Sequence, residues 1–322
     1  MFFLWILIAL LVLMSIFISS GIYMFRRIFI RADRTEATDL KAKARMERFG
    51  HPEFYDRIQS GKKWLAGHSC KELFITSFDG LKLRARFYEN PSPAGTTIVL
   101  SHGYKSNADY DFGSICPFYY GRGCNLLLID SRAHGKSEGK FVTLGSLERI
   151  DLRDWCAELE KLVGKNERFV LAGLSMGSTV SILAAASPGI SENVCGVIAD
   201  CGFISVRREI EDILKSVKFP RFPILYAGNL VAKLRLGIGI DDFSTVTEIK
   251  KLKVPVLFIH GDADDFVLPD NTLQNYNACT SPKELVMVKD ARHCFSYLTD
   301  EKLVTERISA FLDSLPAPAK SK

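Results

Sequence analysis

Several features are missing from this 322-residue chain, and each absence closes a class of function. Its eight cysteines (70, 116, 124, 156, 195, 201, 279 and 294) form no C-x-x-C pair and no zinc-finger spacing. Several lie in apolar runs, as Cys195 does before Gly196-Val197-Ile198, which marks buried free thiols rather than disulfides. Free thiols fit a reducing compartment. The formal net charge is +5, yet little of it lies outside one short segment. Between Arg26 and Arg48 eight basic residues stand against four acidic ones, leaving +4 there. The rest is close to neutral and lacks the basic face that a nucleic-acid binder needs. Internal repeats and low-complexity segments are absent as well, and only one apolar run is long enough to cross a bilayer.

That run is residues 2–25, FFLWILIALLVLMSIFISSGIYMF, which carries no charge. A helix needs about 20 residues to cross the hydrocarbon core. No Lys or Arg precedes the run, and it exceeds the roughly 7–15 apolar residues of a signal peptide. No Ala-x-Ala site follows, Ser19-Ser20-Gly21 being a weak match. An uncleaved, single-pass transmembrane anchor over residues 1–25 is therefore expected. Arg26, Arg27, Arg31 and Arg34 flank its C-terminal end, so the positive-inside tendency puts the bulk of the protein on the cytoplasmic side of the cell membrane. The same arginines suit anionic headgroups. The lipid bilayer is thus one expected partner.

Residues 26–70 read as a basic juxtamembrane segment and a polar, helix-like stalk broken at Gly50-His51-Pro52. With 47% hydrophobic and 25% charged residues overall, the chain is long enough to bury a sizeable core. Strand and helix signals then alternate. Strands are expected at 73–77 and 81–88, around the hairpin signal Asp79-Gly80, and at 96–101, 125–130, 168–171, 194–199, 255–260 and 284–288. Helices are expected near 146–162, 178–186, 271–278 and 301–315. Short all-apolar strands separated by helices imply a mostly parallel sheet covered on both faces, with the hairpin extending one edge. Ligands of such sheets bind at the carboxyl ends of the strands. The tail at 317–322 reads as disordered.

One pentapeptide, Gly173-Leu174-Ser175-Met176-Gly177, falls where a strand passes sharply into a helix, as a nucleophile elbow requires. A serine hydroxyl is a weak nucleophile and needs a base, usually a histidine oriented by a carboxylate. In the order Ser, Asp, His, the six histidines leave few options. His51, His68, His102 and His134 precede Ser175, and His260 sits at the end of a strand, beside a glycine. His293 follows a full strand and loop, so it is the candidate base. Asp262, Asp264 and Asp265 all lie in the intervening loop, and spacing does not choose among them. The oxyanion needs two aimed N–H donors. These fall to the amides of Met176, directly after the serine, and of Tyr104, in the His102-Gly103-Tyr104 loop.

Together, His102-Gly103-Tyr104, the segment from Asp130 through Arg132, His134 and Gly135 to Ser137, the Ser175 pentapeptide, His260-Gly261-Asp262-Ala263-Asp264 and His293 resemble the α/β-hydrolase family over residues 70–315. They look most like its serine aminopeptidase-like branch, which includes membrane-anchored bacterial hydrolases of poorly defined substrate. The resemblance implies an α/β-hydrolase fold over 71–316 and, through its H-G-x-x-D pattern, Asp264 as the acid. It also makes His134 structural. A small helical cap is expected at about 202–248, rich in apolar residues such as Ile210, Leu214, Phe222, Tyr226 and Leu230. Its composition suits a helical pair packed on the sheet and, compatibly, an apolar lid over Ser175. Such a lid fits an acyl chain or aromatic ester better than the free amine of a peptide.

The expectation is a carboxylesterase-like serine hydrolase using Ser175, His293 and Asp264 through an acyl-enzyme, with no metal or organic cofactor and an ester or acyl small molecule as substrate. A serine peptidase or amidase with the same machinery is the near alternative. A catalytically inactive, membrane-tethered binding protein is the alternative of another class.

Overall fold

The structure, a computed structural model, describes residues 1–316, so the tail expected at 317–322 lies outside the described residues. Two units emerge, one of residues 1–30 with 205–244 and one of residues 31–204 with those from 245 onward. The smaller unit holds α1 (Phe2–Ile28). In the larger unit the chain runs through α2 (Glu36–Arg48), α3 (Glu53–Gly67), β1 (Lys71–Thr76), β2 (Lys82–Tyr88) and β3 (Thr96–Ser101). It continues through α4 (Ala108–Phe112), α5 (Cys116–Gly121), β4 (Asn125–Ile129), α6 (Glu148–Val163), β5 (Arg168–Leu174), α7 (Met176–Ala185) and β6 (Val194–Asp200). After the insertion carrying α8 (Val206–Ser216) and α9 (Ile224–Leu236) come α10 (Thr245–Glu248), β7 (Val256–Gly261), α11 (Asp270–Ala278), β8 (Lys283–Val288), α12 (Ser296–Thr299) and α13 (Glu301–Ser314).

All eight expected strands form, in one sheet of order β1-β2-β4-β3-β5-β6-β7-β8. From β4 to β8 every pairing is parallel, and β1 and β2 add the antiparallel edge. The central strands read TTIVLS, NLLLI and VLFIHG because they are buried on both faces. This is the α/β-hydrolase fold that the motifs implied. Register sets the site: Ser101 ends level with Gly173, and Leu174 with Asp200, so the loops after β3, β5 and β6 open at one edge. The loops after β7 and β8 open beside them, since Gly261 pairs with Val288.

The segment read as a stalk is folded into the larger unit. Phe54, Ile58, Gly61 and Leu65 recur every three to four residues along α3 and are buried. Met46, Phe54 and Ile58 pack with Phe295 and Leu298, and Leu65 joins the core beneath the sheet. Gly61 lies against the backbone of Gly113, where a Cβ would collide. The polar composition of α2 and α3 concealed this one buried stripe.

In the smaller unit, α1 is the one helix among the described residues long and apolar enough to cross a membrane. It extends three residues past the expected boundary at 25. Its buried residues, Gly21, Met24 and Phe25, lie at its C-terminal end. There α9 packs on it, with Gly21 against Ala227 and Gly228 against Met24.

Candidate active site

Ser175 sits between β5 and α7 with φ 56° and ψ −117°. A positive φ costs a non-glycine residue about 1–3 kcal/mol and persists only where its surroundings hold it. Here they do. The Ser175 N–H donates to the Asp200 carbonyl at 2.9 Å, and its carbonyl accepts from Ser178 and Thr179 as α7 begins. A Cβ on Gly173 would strike the Gly177 carbonyl, and one on Gly177 would strike Ser101 on the neighbouring strand. Both glycines are therefore demanded by how closely β5, α7 and β3 approach.

His293, in the loop after β8, connects two of the other predicted residues. Its Nε2 lies 3.0 Å from Ser175 Oγ and its Nδ1 2.7 Å from Asp264 Oδ2. Asp264 is buried in the loop after β7, where its Oδ1 accepts from the Phe266 and Val267 amides at 2.9 and 3.0 Å. The two neighbouring aspartates go elsewhere: Asp262 accepts from the Asp290 amide at 2.7 Å, and Asp265 pairs with Arg292 at 2.8 Å. His260 has a place that sequence reasoning did not give it. Its Nε2 lies 3.1 Å from Asp264 Oδ2 and 2.9 Å from the Val267 carbonyl, and its Nδ1 lies 2.6 Å from Thr272 Oγ1. A ring donating at Nε2 and accepting at Nδ1 satisfies all three contacts. The available signal was an imidazole four residues before the acid, at the end of the same strand.

Electrostatics polarise this line of residues. Burial works against the charge of Asp264, but hydrogen bonds from His260 and His293 hold its carboxyl down at about 2. Burial likewise opposes a charge on His293, while the adjacent Cys201 sulfur and Asp264 favour one, and its pKa stands well above the ordinary histidine value. Burial pushes the Cys201 thiol itself well up. That sulfur is thus protonated at neutral pH, and the charge His293 meets is the Asp264 carboxylate. Asp200, at the end of β6, is raised by burial to about 6 and accepts from Ser296 Oγ at 3.0 Å.

The loop after β3 brings Gly103 beside Ser175, about 3.5 Å from its Cβ were a side chain present. Asp111 on α4 fixes this loop, accepting from the Gly103 amide at 2.7 Å and from Ser106 Oγ at 2.6 Å. His102 and His134 brace it from behind. His102 Nε2 accepts from the Ser131 amide at 3.2 Å, and His134 Nε2 accepts from the Lys105 amide at 3.0 Å. Burial holds the His134 pKa down to about 3, so its ring stays neutral. Tyr104 follows Gly103 and lines the same cavity as Ser175. Met176 is the first residue of α7, so the helix offers its N–H no acceptor four residues back. Of the two candidate amides, that of Tyr104 belongs to the loop after β3 and that of Met176 to the first turn of α7.

That cavity, of about 340 Å³, is lined by Ser175, His293, Gly103, Tyr104, Phe266 and Phe295, and also by residues in and before α2. Among the described residues, Cys201, His293 and Cys294 form the one cluster tight enough for a metal ion, with ligand atoms within 4.8 Å of one another. Both ring nitrogens of His293 are already engaged by Ser175 and Asp264, which leaves this cluster a poor fit for a cation.

A family model described as "Serine aminopeptidase, S33" matches residues 92–238, a little under half of the chain. The chain is 27% identical over 230 residues to the protein YqkD of Bacillus subtilis (strain 168), covering 71% of this chain and 75% of that one. It is also 27% identical over 227 residues to alpha/beta hydrolase domain-containing protein 17B of Xenopus tropicalis, covering 69% of each. Among solved structures, the Pyrococcus furiosus esterase Pf2001 superposes with a TM-score of 0.62 at 24% identity, over 79% of this chain and 95% of that one. At that identity the likeness speaks to the fold.

Proposed function

This chain belongs to the α/β-hydrolase superfamily and is a hydrolase, and from that premise we propose a membrane-anchored serine hydrolase of carboxylic esters. The reading rests chiefly on the hydrogen-bonded line from Asp264 through His293 to Ser175, at 2.7 and 3.0 Å. Ser175 attacks the ester carbonyl while His293 takes its proton, and Asp264 stabilises the imidazolium that forms. The Met176 and Tyr104 amides receive the oxyanion. Collapse of the tetrahedral intermediate expels the alcohol, protonated by His293. Water, activated by the same histidine, then releases the acid and restores the serine. Helix α1 tethers the enzyme as a single pass. Arg26 and Arg27 in its last turn favour placing the larger unit in the cytoplasm. The aromatic lining from Tyr104, Phe266 and Phe295 supports an acyl or aromatic ester, while the name of the matching family model keeps the peptidase alternative in view.

A fluorophosphonate probe tests the reading. Wild type is expected to become covalently labelled and Ser175→Ala to stay unlabelled. Equal behaviour of the two proteins would remove the catalytic assignment and leave the binding-protein alternative.

A further inference from the structure

Resting on that reading of Ser175, we propose that α2 builds a cationic subsite that selects esters also carrying a carboxylate or phosphate. The cavity containing Ser175 and His293 is walled on one side by Thr38, Lys41, Ala42 and Arg45, with Arg34 just before the helix. The spacing of the four helical residues puts them on one face of α2. That face is held in place. A reciprocal Thr35–Thr38 capping box fixes the start of α2, and buried Met46 pins its end among Phe54, Ile58 and Phe295. Arg34 lies over the Tyr110 ring at 3.2 Å and pairs with Asp39. Lys41 and Arg45 are exposed, and no carboxylate partner for either is found among the described residues. One carboxylate, Asp111, lines the cavity, and both its oxygens are occupied by the Gly103 amide and the Ser106 hydroxyl. Tyr104, Phe266 and Phe295 supply an apolar lining. A site with aromatic walls and two unneutralised cations favours an amphiphilic anionic ester and repels the ammonium of a peptide.

Steady-state kinetics on the detergent-solubilised full chain decides this. Two pairs differ mainly by a charge: p-nitrophenyl butyrate against mono-p-nitrophenyl glutarate, and 1-oleoylglycerol against 1-oleoyl-lysophosphatidic acid. The first pair puts a carboxylate on the acyl side, the second a lipid phosphate on the alcohol side. At least one anionic member should exceed its neutral partner in kcat/KM by about tenfold. Lys41→Glu with Arg45→Glu should abolish that ratio through KM, and Lys41→Arg should keep it. Ratios near one in wild type, or a ratio indifferent to both substitutions, overturn the subsite while Ser175 labelling stands. Absence of Ser175 labelling overturns the hydrolase reading and the subsite together.

A separate observation within the smaller unit carries a second inference. We infer that α9 docks on the bilayer surface beside the end of α1, an inference that rests on α1 being the anchor. Phe222, just before the helix, and Tyr226, Leu230 and Leu234 recur every four residues and are 67, 54, 49 and 77% exposed. The opposite face, with Ala227 and Gly228, packs on α1 at Gly21 and Met24. That contact lies immediately before Arg26 and Arg27, where an apolar helix meets the headgroups. Lys233 and Arg235 close α9, and Lys215, Lys218 and Arg221 precede it, charges suited to anionic lipid. An aromatic and leucine stripe flanked by cations matches an interfacial helix.

The full chain in phosphatidylcholine/phosphatidylglycerol vesicles, on a Cys70→Ser background, takes an environment-sensitive dye at Leu11→Cys, Leu230→Cys, Leu234→Cys or Lys161→Cys. Lipids spin-labelled near the headgroup should quench the dye at 230 and 234, and deeper ones the dye at 11, while aqueous iodide quenches 161. Iodide access at 230 and 234 with lipid contact at 11 overturns the docking. An aqueous signal at 11 overturns the anchor and the docking with it. Disulfide-linked dimers of the Leu234→Cys protein would assign the stripe to a second copy and also overturn it.

Discussion

His293 can act as a base only when neutral, and the Asp264 carboxylate holds its proton tightly. The sign follows directly. Activity is lost as pH falls through the raised pKa of His293, so the acid limb of kcat/KM should have its midpoint above the ordinary histidine value of about 6.5. Asp264→Asn removes the charge that raises it. The limb should move to lower pH, and kcat should drop by about 10⁴ as the ring loses its orientation. A pH–rate series on both proteins checks this, and an unmoved limb would remove Asp264 as the charge partner. His260 is the less obvious member of this group. Its position explains how the Asp264 carboxylate can be buried and still ionised, since three donors besides His293 reach it.

At the scale of elements, the turn from β5 into α7 depends on two glycines more than on any attractive contact. A side chain on Gly177 would overlap the Ser101 carbonyl of β3, which is backbone and has little freedom to move. Gly177→Ala should therefore cost at least about 2 kcal/mol, lower the melting temperature by several degrees and slow fluorophosphonate labelling of Ser175. Gly121, at the end of α5, has open space around it and an ordinary φ. Gly121→Ala should be neutral, or stabilising by up to about 1 kcal/mol. Thermal melts of the two variants side by side make the comparison. Equal stability would mean that β5 and α7 can separate without harm. Helix α2 shows how an element gains a role from its neighbours. Its polar residues read as a solvated stalk, yet the burial of Met46 turns one face toward Ser175.

Across the whole molecule, apolar patterning made the eight strands, their parallel arrangement and the apolar N-terminal helix legible in the sequence. Burial on both faces forces continuous apolar runs, and a bilayer-length helix tolerates no charge, so both leave marks on the local sequence. Chain order left only His260 and His293 after Ser175, and of these only His293 lies in a loop after a strand, while His260 ends one. Spacing left three aspartates open, and the resemblance pointed to Asp264. The tertiary structure brings Asp264 to His293 and sends Asp262 and Asp265 elsewhere, since aspartates in one loop differ in where the backbone aims them. It alone sets His260 against that carboxylate, folds residues 36–67 into the larger unit, and lays α9 on the end of α1. Those outcomes depend on which faces meet across long stretches of chain, and a one-dimensional pattern records that a face is apolar without recording what covers it.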